Sequence, residues 1–337
     1  DAMDKNKYEI TLIGIDKEGK WHLNNESHFL LNEENPKLIA LNKTNEHIAI
    51  VPGENNNQMV NAQSASSLGS LDVVFPILHG TLGEDGSIQG MLRLANIPFV
   101  GPSVLGSAIC MDKDVAKRLL TGAGIDVAKG LTFRKKDKET IRFDEIVNEV
   151  GLPFFVKPAN QGSSVGVSKV KNESDFAKAI EEAFQFDHKI LIEENIEGRE
   201  IEISVLGNDN PIASLPGEIL PQGEFYSYES KYIDESGAIL EIPAKLDEKD
   251  VERIKETAIH AFQVLECEGM ARVDFFLQEN GRLVLNEVNT IPGFTKISMY
   301  PKLWEISGIS YSELIDRLIQ LALERAEADH ALKNSIE

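Results

Sequence analysis

The stretch from 271 to 289, ARVDFFLQENGRLVLNEVN, restricts the fold more than any other part of the chain. Two runs rich in apolar, β-branched and aromatic residues flank Asn280 and Gly281, which predicts a β-hairpin turning at that pair. Side chains alternate along a strand, so Arg272 and Asp274 share one face of the first strand. Leu283, Leu285, Glu287 and Asn289 share one face of the second. Counting outward from the turn sets Asp274 opposite Glu287, so two carboxylates and an amide oxygen converge. Like charges facing across a sheet repel unless a cation lies between them. The donors are all hard oxygens, which suits magnesium and suits zinc poorly. Arg272, planar and permanently charged, suits developing negative charge on a phosphoryl or tetrahedral oxygen. The bland alternative is a surface hairpin with solvated acids and Arg272 as their ion-pair partner. Against it, Leu283 and Leu285 share the face of Glu287 and imply a buried cleft beside the acids.

The chain has 337 residues, enough for two or three domains, since single cores stop growing near ~250–300 residues. It carries 34 basic and 55 acidic side chains, a net charge of −21, which disfavours nonspecific binding to nucleic acid or an anionic membrane. Any polyanionic ligand must be met by local cations. Cys110 and Cys267 form no CxxC pair and are expected to be core thiols. No apolar run approaches the ~18 residues of a membrane span, and DAMDKNKYEI lacks the apolar core of a signal peptide. A cytoplasmic protein is expected.

YEITLIGI and LDVVFPILHG predict buried strands of an open α/β domain over residues 1–107, with PGENNNQMVNAQSASS an exposed loop or hairpin between them. MDKDVAKRLLTGAG predicts a helix with Val115, Leu119 and Leu120 on one face, opening a central α+β unit over 108–196. Within it, LPFFVKP and KILIEENI are strands and SDFAKAIEEAFQF is a helix capped by Ser174. Residues 197–337 form a third, sheet-containing unit closed by SELIDRLIQLALERAEA, with a polar, aromatic lid loop at about 221–238.

VKPANQGSSVGVSK places Lys157 at a strand end before a loop of small residues, whose N–H groups suit a phosphate. A plain hairpin turn is the competing reading. No GxxxxGK[ST] occurs, so this is not a P-loop. Lys113 is a second candidate cation for phosphate, and Glu193, Glu194 and Glu200 are candidates for ribose or an adenine amino group. A solvated acidic edge would look the same. HGTLGEDGSIQG sets His79, Glu84 and Asp85 in a glycine-rich turn after a strand, where α/β sheets place ligands. His79 there orients a substrate carboxylate or a neighbouring donor, or is simply a hydrogen-bonded turn residue.

In this order, HGTLGEDGSIQGMLRLANIPFVG, MDKDVAKRLL, FVKPANQGSSVGVSKV, GREIEISVLG, FYSYESKY, GMARVDFFL and NEVNTIPGFTKISMYPKLW resemble the D-alanine–D-alanine ligase family of the ATP-grasp superfamily. The likeness runs from the first residues nearly to the last. It implies a three-domain ATP-grasp fold with ATP between the central and C-terminal domains, and a homodimer. It implies ligation of two D-alanines through an acyl phosphate, for peptidoglycan precursor synthesis. By the same resemblance, Lys113 and Lys157 would contact ATP phosphates under the loop of Gly162, Ser163 and Ser164. Glu193, Glu194, Ile196 and Glu200 would hold adenine and ribose. Asp274, Glu287 and Asn289 would ligate two Mg2+ ions, with Mn2+ as a substitute. Arg272 and the backbone at Gly293 would stabilise the tetrahedral intermediate, and Ser298 and Met299 would meet the second substrate's carboxylate. Lys231 and Tyr232 would belong to the lid, Lys231 reaching ATP and Tyr232 closing with Ser163 over the substrates. Relatives that accept D-lactate or D-serine, and a noncatalytic nucleotide-binding relative, are the alternatives. Family members begin with a strand, a glycine-rich turn and a glutamate for the first D-alanine's ammonium group; this chain is expected to start after that segment.

Overall fold

Among the described residues every sheet pairs its neighbouring strands antiparallel, and the three larger sheets follow one another along the chain. The computed structural model describes residues 2–24, 30–31, 40–41, 47–53, 58–162, 164–221 and 238–333. The first sheet joins β1 (Leu12–Ile15), β2 (Trp21–Asn24), β5 (His47–Ile50), β6 (Met59–Asn61) and β7 (Ser67–Gly69). A separate pair is made by β3 (Leu30–Leu31) and β4 (Ala40–Leu41). One expectation fails here and another is met in part. The segment 71–80 is no full strand: it makes one parallel bridge, Val74 to Phe99, because Pro76 has no N–H to extend a ladder. The polar stretch expected as an exposed loop or hairpin does form a hairpin, β6 with β7, but it is not wholly exposed: Met59 and Gln58 are buried, and the Gln58 side chain accepts from Leu71 N at 3.2 Å.

Helices α1 (Ser87–Leu94), α2 (Val104–Met111) and α3 (Lys113–Gly122) lead into the middle of the chain. Asp112 caps α3 by accepting from Val115 N. The buried face of α3 is Ala116, Lys117 and Leu120, while Leu119 is 40% exposed. The expected face was thus rotated by about one residue, because a lysine and not a leucine fills the inner position. Next come β8 (Gly130–Arg134), α4 (Phe143–Val150), β9 (Phe154–Pro158), β10 (Ser168–Val170), α5 (Glu173–Phe186) and β11 (Lys189–Glu194). The sheet order is β10-β9-β11-β8. Phe176, Ala179, Ile180, Ala183 and Phe184 of α5 recur at helical spacing and bury against Phe154, Val156, Ile190 and Ile192. The cap of α5 is Asn172, two residues before the expected Ser174. Asn172 accepts from Asp175 N, and Ser174 donates to Asn172 instead.

The last sheet has the order β15 (Ala238–Glu241), β14 (Gly217–Pro221), β12 (Arg199–Gly207), β16 (Gly269–Leu277) and β17 (Leu283–Asn289), with β13 (Ile212–Ala213) paired to β12. One face packs Ile201, Ile203, Val273, Phe275 and Leu285 against Ile254, Ala258 and Phe262 of α6 (Glu248–Val264). Each such fully buried side chain contributes about 2 kcal/mol. Further along, Tyr300 and Trp304 of α7 (Met299–Ile306) pack with Leu314, Leu318 and Ile319 of α8 (Tyr311–Ala331). Ser310 starts α8 by accepting from Glu313 N. Cys110 and Cys267 are buried free thiols, as expected, with their sulfurs 3.4 Å apart. Among the described residues no helix is long and apolar enough to cross a membrane.

Candidate active site

The hairpin forms where expected, with Gly281 in the left-handed region (φ +82°) that its turn requires. Asp274 pairs with Glu287 and Arg272 with Asn289 in register. One detail is corrected. The register shifts between Asp274 and Phe275, because Asn286 is an extra residue on β17. Leu285 and Val288, three residues apart, therefore both enter the core packed on α6. The leucines do not share the face of Glu287; the bulge re-aims the acid toward the cleft.

Arg272 donates from Nε and Nη2 to the two oxygens of Asp274, each at 2.7 Å. Its Nε also lies 3.0 Å from Glu202 of β12. Asn289 donates to Asp274 at 2.9 Å. Desolvation alone would lower the pKa of this guanidinium, but Asp274, Glu202 and Glu287 outweigh it and raise the pKa well above its usual range. One buried cation thus gathers three carboxylates. For a hard divalent metal the fit is chemical: Asp274, Glu287 and Asn289 offer oxygen donors on adjoining strands. Among the described residues no group of three or more His, Cys, Asp and Glu could hold a metal ion.

Across the cleft stands a basic wall. Lys157 of β9 and Lys113 at the start of α3 line it with Gln161, Ser164 and Lys169. Lys113 Nζ donates to the Gln161 carbonyl at 2.6 Å, tying it to the small-residue loop. Desolvation lowers the Lys113 pKa, with Glu287 opposing and Lys157 adding to the fall. Glu193 of β11 is 3% exposed and lies 2.5 Å from Lys157 and 2.7 Å from Lys117. Burial pushes its carboxyl up, yet Lys117 and Lys157 together hold it at about 2. Glu194, Asn195, Ile196 and Glu200 continue the cleft beyond this cluster.

The turn from 79 to 86 comes up to the small-residue loop, with Glu84 Oε2 3.9 Å from where a Cβ on Gly162 would sit. Gly80 N donates to Glu84 Oε2 at 2.5 Å. Desolvation lifts Glu84 to about 7, opposed by hydrogen bonds from Gly80 and Ile291 and reinforced by Glu287. His79 has an accessible ring in dense surroundings; desolvation leads the lowering of its pKa, a hydrogen bond with the Ile291 backbone works against it, and Arg272 adds to it. Both residues therefore dock at Ile291, just past the hairpin. Gly293 approaches Ser298 so closely that a Cβ would sit 3.0 Å from its hydroxyl oxygen. Ser298 is the N-cap of α7, and Met299 is 5% exposed, packed with Ile219 and Leu303.

Lys113, Lys157, Ser164, Glu193, Glu194, Ile196, Glu200, Asp274 and Glu287 thus line one cleft. Gly162 stands beside it, where a Cβ would come within 3.9 Å of Glu84 Oε2. Ser163, Lys231, Tyr232 and the lid from 222 to 237 lie outside the described residues. Three contributors carried no assigned role from the sequence: Glu202, Glu84 and Lys117. Glu202 was findable, because it alternates with Ile201 and Ile203 on a strand otherwise buried. Lys117 lies four residues after Lys113, the spacing of one helix face.

Comparison with known proteins gives this cleft its context. Residues 1–102 match the profile of the D-ala D-ala ligase N-terminus and residues 119–320 that of the D-ala D-ala ligase C-terminus. The D-alanine–D-alanine ligase of Oceanobacillus iheyensis is 65% identical over 335 residues, which are 99% of this chain and 92% of that protein. The structure of the D-alanine–D-alanine ligase from Coxiella burnetii superposes with a TM-score of 0.82 at 39% identity, covering 98% of this chain and 88% of that one. The Bacillus anthracis D-alanine–D-alanine ligase complexed with ATP matches with a TM-score of 0.66 at 32% identity, over 77% of this chain and 81% of that one. With both profiles matched, and with the ATP-grasp fold of its structural neighbours, the chain belongs to the D-alanine–D-alanine ligase family.

Proposed function

We propose that this protein is an ATP-dependent ligase that joins two D-alanines into D-alanyl-D-alanine, a precursor of peptidoglycan. The observation that carries this reading is a cleft with lysines on one wall and carboxylates around a partly buried arginine on the other, in a chain of this family. The reaction begins when the carboxylate of one D-alanine attacks the γ-phosphoryl group of ATP, giving an acyl phosphate and ADP. The amine of the second D-alanine then attacks the acyl carbon. The resulting tetrahedral intermediate loses inorganic phosphate and a proton to leave the peptide bond.

Lys113 and Lys157 meet the ATP phosphates, with Gly162, Ser163 and Ser164 covering them. Glu194, Ile196 and Glu200 form the adenine and ribose end, with Glu193 at its border to the phosphates, its carboxylate held by Lys117 and Lys157. Asp274, Glu287 and Asn289 would hold two Mg2+ ions, or Mn2+, which supply charge neutralisation for the phosphoryl oxygens. Arg272 has Nε and Nη2 committed to its acids, so the oxyanion falls to Nη1, assisted by the Gly293 backbone. One such donor is worth ~3 kcal/mol. His79 orients the first substrate, and the N-terminus of α7 at Ser298 and Met299 takes the carboxylate of the second. Lys231 and Tyr232 belong to a lid that keeps water from the acyl phosphate. Three units, 1–107, 108–196 and 197–337, are set around this cleft, and the active form is a cytoplasmic homodimer.

The test incubates the protein with ATP, magnesium and D-alanine, with separate arms adding D-lactate, D-serine or L-alanine, and follows phosphate release and product mass. D-alanyl-D-alanine as the main product is expected. ATP binding without turnover in any arm would sink the enzyme reading.

A further inference from the structure

We propose that Lys117 is a positioning residue of the nucleotide site: from behind the cleft wall it holds Glu193, leaving Lys157 available for phosphate. The inference rests on the ATP reading above and adds a residue to it. Glu193 separates two cavities. Lys113, Lys157 and Glu193 line the cleft, whereas Lys117 and Glu193 line a second cavity between α3 and the strands β8 and β11. Lys117 therefore approaches the same carboxylate from the far side, and the wall keeps it from the nucleotide.

The charges explain why it is there. Glu193 is shared, with one oxygen 2.7 Å from Lys117 and the other 2.5 Å from Lys157. The side chains of Lys117 and Glu193 are 10% and 5% exposed, so water screens the pair weakly. Asp114, which lines the same cavity, is engaged by Lys189 and Arg118, and Glu287 acts on Lys117 through charge without a hydrogen bond. If Lys117 were neutral, Lys157 would be the one ammonium group left in direct contact with Glu193, with Lys113 acting on it from further off, and a phosphate would have to compete with a buried carboxylate for Lys157. With Lys117 in place, Glu193 is already neutralised. Desolvation lowers the Lys117 pKa to about 8 against the attraction of Glu193, so most of the side chain is charged at neutral pH.

Calorimetric titrations of the full chain with ADP and with adenosine, magnesium present, separate phosphate binding from base binding. Lys117→Met should lower ADP affinity about tenfold relative to adenosine, the loss expected for one weakened charged contact. Lys117→Arg should stay within about threefold of wild type. Lys117→Met combined with Glu193→Gln removes both charges, frees Lys157 again, and should restore the ADP-to-adenosine ratio to within about threefold. Folded Lys117→Met with the wild-type ratio overturns the inference alone. If Lys117→Met does not fold, the double variant decides, because it leaves no unpaired carboxylate: a ratio still tenfold low shows that Lys117 does not act through Glu193. Wild-type protein that binds no ADP overturns the ATP reading, and this inference with it.

Discussion

The two walls of the cleft are inverse images in charge, and they use their buried counter-ions differently. On the wall built by β12, β16 and β17, Arg272 sits among Glu202, Asp274 and Glu287; on the wall built by α3, β9 and β11, Glu193 sits between Lys117 and Lys157. The central side chains differ in access. Arg272 is 17% exposed and Glu193 5%. A counter-ion left partly open can touch a reacting oxygen, whereas one sealed in can only set the charge of its neighbours. On the proposed function, the acid wall would carry the chemistry at its centre and the basic wall at its edge, on the lysines.

The sharpest way to break this contrast is Arg272→Ala, which should reduce kcat by about 10²–10³, or ~3 kcal/mol, through loss of the oxyanion donor. Nucleotide affinity should change little, because the lysines are untouched; equal losses in kcat and ADP binding would erase the distinction between the walls. Close in size, Ile203→Ala beneath the acid wall and Ile192→Ala beneath the basic wall should each cost ~3 kcal/mol of stability in guanidinium unfolding, since both sites are fully buried. Substrate dependence of the folded fraction should stay near wild type. Lys157→Met should raise the KM for ATP about thirtyfold, ~2 kcal/mol for a lost charged contact, with kcat less affected.

pH separates two carboxyls of the cleft with opposite signs. Glu84 is raised to about 7 in the folded protein, so its stabilisation is present below its ordinary value near 4.5 and is lost as pH rises through 7. Glu193 is held at about 2, so its stabilisation is present above 4.5 and is lost as pH falls toward 2. Thermal melts of the metal-free protein should show Glu84→Gln flattening the profile between 4.5 and 7, and Glu193→Gln flattening it below 4.5. Swapped windows would contradict the charge assignments. The smallest effect belongs to Leu119→Ser, within about 0.5 kcal/mol, because that side chain is exposed. A loss of several kcal/mol would restore the helix face expected from the leucine spacing.

That helix marks where local pattern stops being informative. The spacing of Val115, Leu119 and Leu120 suits an amphipathic face, but the position that faces inward holds Lys117, because a buried glutamate from a strand more than seventy residues away neutralises it. The first sheet shows a related effect. Short strands such as β6 lie in polar sequence and are stabilised by partners distant in the chain, Gln58 reaching the backbone of Leu71 among them.

The sequence by itself determined the hairpin, its turn at Gly281, the pairing of Asp274 with Glu287, and the family likeness. These depend on strand period, turn chemistry and motif order, all local to the chain. Tertiary structure alone decided which face the acids take, through the bulge at Asn286, and which oppositely charged groups share each wall. It also decided that Glu84 and His79 dock at Ile291. Burial and long-range charge pairing set these features, and both depend on what the rest of the fold brings alongside.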